Sequence, residues 1–196
     1  MVLVNLSRIK LPAVLFFCGL AGSAYAEERL AMPKFPTGWV EAFVQNGNRE
    51  IAEYVPAGQT AENWDRKITL EIYRDLNNLP LDTLQRRASA QNREGCNGVI
   101  EGKFQSGVNN GFASAFWTLG CGRRSGKGEA RYTKVIQGSD RLYVLSQDWL
   151  TAPYTQKNGP SIPVQEIEAA MTFLTSSVIC DPTKPKHPCP AEPAPR

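Results

Sequence analysis

The stretch SIPVQEIEAAMTFLTSSV, residues 161–178, sets Val164, Ile167, Met171, Leu174 and Val178 on one helical stripe. Ser161 is placed to cap the start, Pro163 suits a first turn, and Glu166 and Glu168 complement its positive end. An apolar stripe on a single helix has to be covered. The only partner large enough in this chain is the face of a β-sheet, so the search moves upstream for strands.

Strands are found on either side of a second, shorter helix. Residues 129–137 and 142–149 read as a pair joined across Gly138, Ser139 and Asp140. Before them, 99–105 and 111–121 read as two Gly-bearing strands. Residues 39–55 form two strands around Asn46 and Gly47, a dipeptide that accepts the positive φ of a tight turn. In 67–73, Ile68, Leu70 and Ile72 alternate with Lys67, Thr69 and Glu71, so one face is core. Leu81, Leu84 and Ala88 recur at helical spacing between Pro80 and Asn92, and Gly95 ends that helix. Strands, helix, four strands and helix, with few βαβ crossovers, make an α+β fold: an antiparallel sheet covered by two helices, an α/β sandwich.

The chain of 196 residues is expected to divide into an export signal at 1–26, one α+β domain at 27–179 and a Pro-rich tail at 180–196. Arg8 and Lys10 precede an apolar run from Leu11 to Leu20, and Ala24 and Ala26 stand three and one before a cut that leaves Glu27 first. Phe16 and Phe17 before Cys18 do not suit lipid attachment. Losing Arg8 and Lys10 leaves 20 basic against 19 acidic groups, which gives no general attraction to nucleic acid or anionic membrane. The expected location is periplasmic or secreted, without stable membrane insertion.

Four cysteines remain after the signal: Cys96, Cys121, Cys180 and Cys189. In an exported chain these read as two disulfides with three possible pairings. Cys96 with Cys121 and Cys180 with Cys189 is favoured, because the last two close a short loop within the tail. On that reading, loss of Cys96 costs more stability than loss of Cys189.

The string Glu53 Tyr54 Val55 Pro56 Ala57 Gly58, with Asn63 Trp64, Gly126 Lys127 Gly128 Glu129, Ile136 Gln137 Gly138, and the ending Val178 Ile179 Cys180 Asp181 with His187 Pro188 Cys189 Pro190, resembles a group of exported proteobacterial proteins of unknown function. More distantly, the element order resembles the PsbP and Mog1 α/β sandwich, whose members act mainly as binding or assembly factors. Neither resemblance supplies catalytic residues.

Chemical motifs fail one by one. A phosphate loop ending at Gly126 Lys127 has Cys121 and Gly128 where Gly and Ser or Thr are needed. A dinucleotide pattern from Gly120 has Ser125 where Gly is needed. His187 is the only imidazole, which leaves no partner set for a Ser or Cys nucleophile and no zinc site. Neither cofactor nor metal is expected. Glu50, Glu53, Asp65, Glu71 and Asp75 leave open a carboxylate-dependent cell-wall hydrolase.

One cluster has more substance. Arg123, Arg124, Lys127, Arg131 and Lys134 surround the single acid Glu129, with Trp117 and Tyr132 nearby, on what reads as a loop and the start of a strand. Guanidinium forks beside glycine-rich backbone suit an acidic ligand; a solvated hairpin tip is the plain alternative. The functional expectation is an exported, non-catalytic module binding a protein or cell-envelope component. An inhibitor or immunity-type protein, plugging a partner's active site with this loop, is the rival.

Overall fold

The computed structural model describes residues 28–191, so the export signal expected at 1–26 and the cleavage expected before Glu27 lie outside the described residues. Within them the chain runs β1 (Arg29–Ala31), β2 (Trp39–Gln45), β3 (Arg49–Pro56), β4 (Arg66–Tyr73), α1 (Leu81–Arg93), β5 (Asn97–Glu101), β6 (Gln105–Asn109), β7 (Phe112–Arg124), β8 (Lys127–Gln137), β9 (Leu142–Thr151), α2 (Val164–Ser176) and β10 (Val178–Cys180). Strands β2 to β9 form one antiparallel sheet in the order β2-β3-β4-β9-β8-β7-β5, with β6 also paired to β7. It is the α+β sandwich expected from the element pattern.

Alternation along the strands sorts side chains to the two helices. Ala115, Trp117, Leu119, Val135 and Leu142 face α1 and meet Leu81, Leu84 and Ala88. Ile68, Leu145, Phe173 and Leu174 form the core on the opposite face, under α2. The helices therefore lie on opposite sides of the sheet.

Three details depart from the sequence reading. The strand read at 99–105 is two short strands lying end to end along β7, which at 13 residues is long enough to pair with both. Gly102 marks the break, its N–H donating to the Thr118 carbonyl at 2.9 Å. Ser161 does not cap α2: Pro163 holds the N-terminal position, its carbonyl accepting from Glu166 and Ile167 with no side-chain cap. The buried stripe is also rotated. Ala170, Phe173 and Leu174 are buried, Val164 is 63% exposed, and Val178 belongs to β10.

The tail is docked as far as Cys189. β10 pairs with β1, and Cys180 and Asp181 are buried. Beyond them His187 stacks on Phe112 with ring centroids 4.1 Å apart, its Nδ1 2.8 Å from the Asn110 carbonyl. Asn110 and Gly111, with φ of 49° and 84°, make the tight turn between β6 and β7 that presents this carbonyl. Asn110 Nδ2 donates to the Ile179 and Pro188 carbonyls at 2.8 and 3.0 Å. The disulfides join Cys96 to Cys121 and Cys180 to Cys189.

A candidate binding face at the β7–β8 hairpin

Strands β7 and β8 are joined by Ser125 and Gly126, with φ of 49° and 86°, the two positive values that a two-residue hairpin turn requires. Arg124 and Lys127 are paired across this turn. Arg123 and Lys127 are exposed and make no ion pair among the described residues. Arg124 is committed to the fold: Nη1 donates to the Glu94 carbonyl at 2.8 Å, Nη2 to the Asn92 carbonyl at 2.7 Å, and Nε lies 3.0 Å from Glu129 Oε2. It thereby holds the tip against the C-terminal end of α1, where unpaired carbonyls attract a cation.

Arg131 and Lys134 separate further from the tip. On β8 an offset of three residues reverses the face. Arg131 faces the α1 side, half-exposed, and is ion-paired through Nε to Asp148, which is only 3% exposed. That carboxylate holds the guanidinium further above its already high range. Lys134 points to the α2 side and is buried, so it is no part of an exposed basic loop. Nor do the aromatic residues form a platform: Trp117 is core, and Tyr132 packs edge-on to Trp149 at 5.1 Å.

What the sequence did not assemble is a cleft of about 300 Å³ between α1, the β3–β4 loop and the sheet. Arg124, Arg131, Glu129 and Asp148 line it together with Trp64 and Asn92. Beside it, Lys67 Nζ sits 4.8 Å from the Trp64 ring centroid and 2.7 Å from Glu53 Oε1. The register Lys67, Asp148, Arg131 runs straight across β4, β9 and β8, so opposite charges alternate along one row. The cleft presents fixed donors and acceptors without a strong net charge. Four of the five carboxylates raised as hydrolase candidates are held by cations or donors: Glu50 by Arg74, Glu53 by Lys67, Asp65 by Gln59, and Glu71 by Arg49 and Tyr73; Asp75 has no such partner among the described residues. Among the described residues, no group of three or more His, Cys, Asp or Glu is arranged to hold a metal.

Burial sets a pH signature. Desolvation pushes the Lys134 amine down to about 8, and burial pushes the hydroxyls of Tyr143 and Tyr154 up, the latter to about 12. Between about 8 and the ordinary lysine value near 10.5 the unfolded chain holds the Lys134 proton more tightly, so stability rises with pH there. Above about 10 the unfolded chain loses tyrosine protons that the fold retains, and stability falls. Urea titrations from pH 7 to 11 are expected to show a maximum between 8 and 10. A Lys134→Met protein is expected to lose the rising limb.

Comparison with known proteins gives structural likeness only. No family model matches the chain, and no curated protein matches it. Solved structures do. The Ran-binding protein Mog1p of Saccharomyces cerevisiae is 12% identical with a TM-score of 0.47, covering 76% of this chain and 93% of its own. Cyanobacterial PsbP (CyanoP) from Synechocystis is 13% identical with a TM-score of 0.45, covering 85% and 98%. A protein of unknown function from Pseudomonas aeruginosa, PA94, is 10% identical with a TM-score of 0.42, covering 78% and 85%. These neighbours are PsbP/Mog1-like folds at low identity, and at that distance no residue role passes from them to this chain.

Proposed function

We propose that the protein is an exported, non-catalytic module that binds an envelope protein or other acidic ligand through the β7–β8 hairpin tip. The observation that carries this reading is the division of labour at the tip. Arg124 is spent on the C-terminal carbonyls of α1, while Arg123 and Lys127 project as exposed cations from a turn it immobilises. Cations on a rigid mount lose little entropy on meeting an acidic partner. The same rigidity, with the Cys96–Cys121 bond close behind, favours the inhibitor-type plug as a second reading. Export is supported by the two disulfides, which persist in oxidising compartments. Among the described residues no helix is long and apolar enough to cross a membrane.

Changing Arg123 and Lys127 together to Glu is expected to abolish capture of an acidic partner from the envelope fraction. The melting temperature should hold to within about 2 °C, because exposed charges contribute little to folding. Capture by the unmodified protein should weaken as salt rises. The mass of protein recovered from the periplasm or medium is expected to begin at Glu27. Capture that survives the double reversal at unchanged salt removes the tip from the interface, and a chain that retains Cys18 removes the export reading.

A further inference from the structure

Lys134 is buried on the α2 side of β8 with two of its three N–H donors used, one to the Ser177 carbonyl at 2.6 Å and one to the Thr175 carbonyl at 3.2 Å. No carboxylate pairs with it among the described residues. The C-terminal carbonyls of α2 offset part of the cost of burying this ammonium, and its third donor is left for a carboxylate. Beside it opens a cavity of about 290 Å³, walled by Phe116, Met171 and Leu174 and running along β6. Gly107 leaves this groove clear, since a Cβ built there meets nothing within 4 Å. Asn109 lines the same groove, and its Oδ1 is buried without a donor. β6 pairs only with β7, so its outer edge carries unpaired backbone groups.

A buried cation without a counter-charge, apolar walls, an orphaned acceptor and an open strand edge converge on one kind of occupant. We infer that the groove between β6 and the C-terminal half of α2 takes a peptide that pairs with the β6 edge and then turns over β6 and β7 on the α2 face, so that its last residue, apolar and with a free carboxylate, is bound by Lys134. Strand addition supplies affinity through main-chain hydrogen bonds. The small cavity has to serve charge and apolar side chain together, and only a terminal residue carries both on one carbon. The groove lies across the sheet from the Arg131 cleft, so the two surfaces are independent.

The test uses hexapeptide pools randomised at five positions and ending in Leu, one pool with a free carboxylate and one amidated. The folded protein is expected to retain the free-carboxylate pool at least tenfold better than the amidated one. Lys134→Met should remove that difference. Gly107→Val, which keeps the charge and fills the groove, should do the same, and it stands in if Lys134→Met fails to fold. Equal retention of the two pools, retention of neither, or a preference that survives Gly107→Val overturns the inference. So does displacement of the peptide by octanoate with no shift in β6 amide signals, because the groove would then be a carboxylate pocket without strand addition.

Discussion

Arg131→Met is expected to cost about 2–3 kcal/mol of folding stability, somewhat less than the roughly 3–5 kcal/mol that loss of one partner of a fully buried pair costs. Asp148 is 3% exposed, and its side-chain partners are Arg131 Nε and the Ser146 hydroxyl, 3.2 Å away. Removing the guanidinium leaves a carboxylate that water reaches poorly. The cost stays below the full penalty because Arg131 is half-exposed and screened, and because Lys67 stands opposite Asp148 on β4. Replacing both members, Arg131→Met with Asp148→Leu, should recover most of the loss, since the buried charge goes with its partner. Denaturant titration of the four proteins gives the coupling directly. A loss under about 0.5 kcal/mol in the single variant would show that Asp148 is hydrated rather than dependent on Arg131.

Breaking either disulfide is expected to cost about 3 kcal/mol, with Cys96→Ser and Cys189→Ser nearly equal. The bonds close separations of 25 and 9 residues, and the chain-entropy difference between such loops is only about 1 kcal/mol. Sequence alone makes the second bond the lesser, because its loop lies in a Pro-rich tail. The structure removes that distinction. Cys180 is fully buried within the β1–β10 ribbon, and the loop it closes carries His187 onto Phe112 and the Pro188 carbonyl onto Asn110. Cys189→Ser therefore releases docked surface as well as a cross-link. Thermal unfolding of the two variants, each with its partner Cys also replaced to avoid a stray thiol, tests this. A Cys189 loss well below half the Cys96 loss would mean that the tail holds its place without the bond.

Alternation made most of the sheet legible, because a strand with one apolar face can satisfy only one orientation. Ile68, Leu70 and Ile72 placed β4 in this way, and Leu81, Leu84 and Ala88 placed α1. The break at Gly102 was hidden, since nothing local distinguishes one strand from two that share a long neighbour. Asn110 and Gly111 between Val108 and Phe112 do mark the next turn, since they form the same kind of dipeptide as the one at the β2–β3 turn. For the site, composition found the basic cluster but could not sort it, because burial of Lys134 follows from which face of β8 lies under α2. The cleft was beyond reach for another reason. Trp64, Asn92 and Asp148 come from three separated segments, and only strand register and helix docking bring them together.

Photocross-linking tests the central claim most directly. A benzophenone side chain placed at exposed Asn97, the register partner of Arg123 beside the hairpin tip, and in a second protein at Val164 on the exposed start of α2, would be irradiated in the envelope fraction at low and high salt. The predicted result is a discrete adduct from position 97 that fades as salt rises, and none from position 164. An adduct from position 164 with none from position 97 would contradict the assignment of binding to the tip.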